Sequence, residues 1–216
     1  TVKCNFDRGR RFDVDVMDDL ETAGLAFGRL SAQFIRDKVV PELDAFRFAS
    51  YCGISGVTKK EETLADGAAT VAALSAAVTA MDDEEVTATG RYLFITPTLL
   101  QGINDMDTTK SKKVLEGFEQ VIKVPQRRFY TAIKQLSGKT GEEAGGYTKA
   151  TGAANINFAI VQKDALIQYT KHAAPKIIAP ENNPDADAYV FGYRMVGIAK
   201  AYKNMLSGMY FSHDKA

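Results

Sequence analysis

Residues Phe6 to Asp18, FDRGRRFDVDVMD, carry Phe12, Val14 and Val16 at every second position among arginines and aspartates. A period of two marks a strand with one apolar and one charged face. Beyond Asp7 the charges are also sorted along it: Arg8, Arg10 and Arg11 give way to Asp13, Asp15, Asp18 and Asp19. A lone strand exposes unpaired backbone donors and acceptors, so it needs a partner from a hairpin arm or another molecule. No arm precedes it and the chain opens on Thr1, so the expectation is a fragment or processed product whose first strand lacks its mate. Residues 1–19 are then expected to project from the body and to add little to its core.

With 216 residues the chain is long enough to bury a substantial core, as one domain or two interleaved lobes. Lys plus Arg (27) equals Asp plus Glu (27), which leaves no global basic field to attract nucleic acid. Cys4 and Cys52 are the only cysteines, too few for a disulfide framework and unspaced for zinc, so synthesis in a reducing cytosol is expected. No apolar run approaches the ~20 residues of a membrane helix.

Downstream, LETAGLAFGRLSAQFIRDKVVPELDAFRFASYCG reads as a long helix with Phe27, Leu30 and Phe34 on its buried side and a kink or restart at Pro41. A second helix, capped near Thr63, carries Val71, Leu74, Val78 and Met81 at spacings of three and four. RYLFITPTLLQGI reads as a strand entering a helix, with Thr96 as cap and Pro97 at its first position. GFEQVIKVP and INFAIVQ read as strands, FYTAIKQL as a short helix or irregular insertion, and SGKTGEEAGGYTKATGAA as an exposed loop. KDALIQYTKHA reads as a helix and PKIIAP as a strand. YVFGYRMVGIAKAY and MLSGMYFSH read as two long strands turning near Lys203 and Asn204, with Met205, Met209 and Phe211 on one side of the second. No internal repeat is visible, and the mixture of elements is α+β.

Catalytic signatures are missing. LSGKTG has the end of a phosphate-binding loop, but Ile133 stands where the motif requires its first glycine. His172 and His213 have no second histidine or cysteine at metal-ligand spacing, and His172 is placed late in the expected KDALIQYTKHA helix, near its terminal carbonyls. Cys52 sits beside glycine in FASYCGISG with no base identifiable in sequence, which fits a buried structural thiol. The acidic groups Asp13, Asp15, Asp18, Asp19 and Asp82, Asp83, Glu84, Glu85 lack the glycine-containing spacing of a calcium loop. The sequence therefore assigns no catalytic, cofactor-binding or metal-binding residue.

The ordered series of phrases resembles the major capsid (coat) protein of tailed bacteriophages, the Hong Kong 97 type. DRGRRFDVDVMDDLET is similar to the returning strand of that family's extended loop, and AQFIRDKVVPELDAFRFAS to its spine helix. GRYLFITPTLLQGI, NFAIVQKDALIQYTKHAAPKIIAPE and DADAYVFGYRMVGIAKAYKNMLSGMYFSH resemble the axial strand and helix, the later strand unit and the closing strands. The resemblance implies a fold with a peripheral domain built on the spine helix and long strands, and an inserted axial domain. Residues 1–19 would be the extended-loop remnant, 20–90 the peripheral domain, 91–184 the axial domain and 185–216 the closing strands. Some members cross-link a lysine to a neighbour's asparagine with a buried glutamate; no such set matches here, and Asn204 reads as a turn residue.

The resemblance implies a non-enzymatic structural subunit of an icosahedral phage or prophage capsid, made in the bacterial host cytoplasm and resident in the virion. Its partners would be other copies in pentamers and hexamers, a scaffold or maturation protease, and DNA held without sequence specificity; no membrane partner is expected. An encapsulin-like compartment shell is the alternative, and a small hydrolase or transferase using Cys52 or His172 is the competitor from another class. As a fragment the chain is expected to be monomeric in dilute solution, with assembly restored by upstream residues.

Overall fold

The computed structural model describes residues 2–17 and 25–215, with residues 25–27 described by their backbone alone. The chain divides into two compact units, one of residues 1–41 and 168–199, the other of residues 42–167 and 200–216.

The first unit is built on a three-stranded sheet ordered β1 (Phe6–Asp15), β9 (Ala188–Ala201), β8 (Leu166–Ile178). The alternating strand has its mate inside the chain. β1 runs antiparallel to β9 from Phe6 opposite Gly197 to Asp15 opposite Ala188, without a bulge. Phe6 is 4% exposed and Val14 8%, so the strand is part of the core, contrary to the expectation that it adds little. Sequence separation hid the pairing, because the partner lies at the far end of the chain. β8 runs antiparallel to β9: a Cβ on Gly192 would lie 3.8 Å from the Lys176 carbonyl oxygen, and one on Gly197 3.1 Å from that of Tyr169.

KDALIQYTKHA is therefore one 3-10 turn (Lys163–Ala165) followed by strand β8 in place of the expected helix, and His172 lies mid-strand rather than near a helix C-terminus. Its residues include Ile167, Tyr169 and Thr170, of high strand propensity, and pairing with β9 decides between two periods that a short segment leaves ambiguous.

The spine segment is helical from Leu25 to Cys52 in three stretches: α1 (Leu25–Phe34), a π-helical turn (Ile35–Val39) and α2 (Val40–Cys52). Pro41 has no N–H to offer the ladder, and just before it the Val40 N–H bonds to the Ile35 carbonyl, a one-residue slip that keeps the run helical. Of the expected apolar stripe, Phe34 faces the sheet, its ring 5.4 Å from Phe12 and 6.3 Å from Phe191, which themselves pair across β1 and β9 at 4.9 Å. Leu30 instead points to solvent, 44% exposed, and the Phe27 side chain lies outside the described residues. Because Phe34 is only half-buried, Phe34→Ala is expected to cost about 1–2 kcal/mol in chemical denaturation, below the 3–5 kcal/mol typical of a sealed ring. A cost in that higher range would show the aromatic cluster to be closed to water.

The second unit holds a five-stranded sheet ordered β2 (Thr58–Glu61), β10 (Met209–His213), β7 (Ile156–Gln162), β3 (Arg91–Ile95), β4 (Gln120–Lys123). β10 and β3 flank β7 antiparallel, while β2 and β4 join the edges in parallel. One face carries α3 (Gly67–Asp83), α4 (Pro97–Asp105) and α5 (Thr109–Glu116), with Leu74, Ala77 and Met81 packed on Leu93, Ile95, Phe158, Ile160 and Tyr210. On the other face Phe48 of α2 meets Phe94 at 5.2 Å and Phe129 at 4.7 Å. Cover on both sides is why β7 is buried at every position and reads as apolar from Phe158 to Val161, with buried Asn157 and Gln162 on either side of that run.

Local chemistry sets the helix starts. α3 begins at Asp66, whose side chain accepts from the Ala69 N–H at 2.7 Å, rather than at Thr63. Thr96 and Pro97 open α4 in line with the sequence, although the threonine hydroxyl makes no capping bond. Arg91, 2% exposed, closes the turn after α3, donating to the carbonyls of Val86 and Thr87 and pairing with Asp82 at 2.7 Å. MLSGMYFSH is a shorter strand than expected, entered by a 3-10 turn at Leu206–Gly208, and Met205 is exposed while Met209 and Phe211 are buried.

Candidate assembly surfaces

The residues weighed for catalysis are dispersed or inert. Cys52 is 2% exposed at the end of α2, and burial raises its thiol pKa, which holds it in the un-nucleophilic form. Cys4 is exposed. His172 stands exposed on β8, and His213 is tied locally, its Nδ1 2.7 Å from the Asp214 carbonyl oxygen, which makes that nitrogen the donor. Among the described residues no three His, Cys, Asp or Glu side chains group as a metal site; Asp18 and Asp19 lie outside them. Asn204 falls in the turn between β9 and β10, as expected.

The glycine-rich stretch is a clipped loop. It joins β5 (Ile133–Gln135) to β6 (Tyr147–Lys149), an antiparallel pair whose first strand lies in FYTAIKQL, the segment read from sequence as a short helix or irregular insertion. The Glu142 carboxylate accepts from the Ser137 N–H at 2.7 Å and from Lys134 Nζ at 2.6 Å, and Glu143 accepts from the Gly141 N–H at 2.8 Å. Carboxylates thus take up the amides that a phosphate loop would offer to its ligand. The hairpin is tied to α2 by Gln135 with Glu42 at 3.3 Å, and the 3-10 turn before it (Gln126–Arg128) by Arg128 with Asp44 at 3.0 Å.

Lys134 and the Ser137 N–H hold the Glu142 pKa down, at about 2. A depressed carboxylate favours the native loop above its ordinary titration range, an advantage lost as pH falls through about 2. Carboxyl NMR titration of Glu142 should therefore show a midpoint near 2, moving up towards the ordinary range in Lys134→Ala. An unchanged midpoint in the variant would remove the lysine as the cause.

The sheet of the first unit carries an ionic ladder on the face away from Phe12 and Phe191. Arg194 grips Asp7 with two bonds, Nε to Oδ1 at 2.9 Å and Nη2 to Oδ2 at 2.6 Å, which lower the Asp7 pKa and raise that of Arg194. Arg11 meets Asp13 at 3.3 Å and Asp185 at 3.6 Å. All are solvent-screened, so they set register and surface potential more than stability. The sorted charges of β1 are legible in sequence; their partners on and beside β9 are not, because register between distant strands leaves no local signal.

No protein-family model matches the chain, and no curated protein matches it by sequence. Solved structures do match. A structure from Mycobacterium phage Che8 aligns over 96% of this chain and 70% of its own, at 11% identity and a TM-score of 0.61. A virus-like particle from Pyrococcus furiosus aligns over 95% and 75%, at 9% identity and 0.63. The capsid of cyanophage P-SCSP1u aligns over 98% and 72%, at 14% identity and 0.58. The chain therefore has the fold of phage major capsid proteins, an α+β fold of the Hong Kong 97 type.

Proposed function

We propose that this chain is the structural subunit of an icosahedral phage or prophage capsid, assembling with copies of itself around a DNA genome and acting without catalysis. The observation that carries the reading is fold likeness to capsid structures along nearly the whole chain. The inert Cys52 and the dispersed histidines fit it, because the chemistry of a shell is association. Within this reading the virion is the protein's destination, the host cytoplasm its place of synthesis, and a scaffold or maturation protease an assembly partner. An encapsulin-like shell stands second, resting on the likeness to the Pyrococcus particle.

The peripheral lobe is proposed as residues 1–41 with 168–199, and the axial lobe as residues 42–167 with 200–216. These limits differ from the sequence-drawn 90/91 and 184/185. β3 shares its core with α3, and β10 lies in the sheet of β7 rather than beside β9. Electron microscopy and light scattering of the complete gene product, expressed with its neighbouring genes, test the function. Closed icosahedral particles containing DNA are expected. Particles filled with an enzyme would favour the compartment, and a product that never assembles would overturn both.

A further inference from the structure

β8 is an edge strand that is unusually bare. From Gln168 to Ala173 every residue is exposed, although the backbone is a regular strand paired with β9 on one side only. Among the described residues no strand adds to its outer side. The segment Leu166–Ile178 contains Lys171, His172 and Lys176 but no acidic residue. It also shows water two large apolar side chains, Tyr169 at 61% and Ile177 at 58% exposure.

Lysines and a proline on an edge ordinarily protect it from pairing. That accounts for Lys171, Pro175 and Lys176 but not for Tyr169 and Ile177, since a merely protected edge has no use for exposed apolar surface. Pro175 does set a limit: it brings no N–H, so a ladder is best made before it, over Tyr169–Ala174. The charge selects the occupant. A second β8 would bring lysines near lysines and is disfavoured, whereas an acidic extended segment gains opposite charges across the strands. A chain of zero net charge that gathers cations on one bare edge has a surplus of acid elsewhere, including exposed Asp15 and Asp187.

We infer that the outer edge of β8, from Tyr169 to Ala174, binds an acidic extended segment of a second copy of this chain by strand addition. The inference rests on the shell-subunit reading for its choice of a second copy. Main-chain hydrogen bonds would supply the binding, Lys171 and Lys176 the selection, and Tyr169 apolar cover.

The test places a photo-crosslinking phenylalanine analogue at Tyr169 in the complete gene product and irradiates the assembled material. A covalent two-chain product joined to an aspartate-bearing segment is expected. Lys171→Glu with Lys176→Glu should cut its yield by about tenfold or more while leaving the thermal transition in place, since both side chains are exposed. Crosslinking to a different protein, or a yield untouched by charge reversal, overturns the inference. Closed shells that never crosslink at Tyr169 overturn it and leave the capsid reading intact. Crosslinked pairs without shells uphold the edge and sink the capsid reading.

Discussion

Gly67→Ala is expected to destabilise the protein by about 2–3 kcal/mol, and so to lower its thermal midpoint by roughly 4–12 °C. Gly67 opens α3 where that helix meets α4, and a Cβ there would lie 2.2 Å from the Gly102 carbonyl oxygen and 2.9 Å from Met106 Sδ. The thioether can swing away, but the carbonyl belongs to a helix backbone and cannot move without shifting α4 off the sheet. Alanine's better helix propensity, worth at most ~1 kcal/mol, offsets part of the cost. Gly102→Ala is the control: its Cβ would meet Gly67 N at 3.5 Å, an ordinary contact, inside a helix where alanine is preferred. That variant should melt at or slightly above the parent. If the two substitutions behaved alike, the close crossing of α3 on α4 would be wrong.

Elements whose local pattern is strong are legible in the sequence. β7 is apolar from Phe158 to Val161 because both faces are covered, α3 repeats at three and four because one face is, and the strand-threonine-proline-helix order at β3 and α4 is written in the residues themselves. Where neighbours decide, the pattern is silent or misleading. β2 is TKKE, exposed at all four positions, and is a strand because β10 offers it an edge. α5 rests on the reciprocal bonds between Thr108 and Ser111, a capping box with serine in place of the usual glutamate or glutamine, so the familiar sequence mark of a helix start is missing. β8 has the residues of a short helix as much as of a strand, because nothing local reveals that β9 lies beside it. The candidate surfaces divide in the same way. The charges of β1 are visible in the sequence, but the Asp7–Arg194 grip and the bare edge of β8 depend on strand order, which only the folded chain defines.

Phe158→Ala should cost more than either Gly67→Ala or Phe34→Ala, about 3–5 kcal/mol, with a fall in midpoint of roughly 6–20 °C. Its ring is fully buried on β7, the central strand, opposite Ile95 on one side and Ser212 on the other. It stacks on Tyr210 with centroids 6.2 Å apart and planes 6° from parallel, beneath the helices that cover Leu93 and Ile160. Removing it leaves a ring-sized void that α3 and α4 cannot collapse into, because Gly67 and Gly102 already bring them into backbone contact. The comparison with Phe34→Ala is the decisive measurement, since the two changes delete the same atoms. A half-buried ring on the three-stranded sheet loses partial cover, whereas a sealed ring on the five-stranded sheet loses both its transfer energy and its cavity. Equal costs would mean that β7 is not sealed from water, and the two-sided packing of its sheet would have to be redrawn.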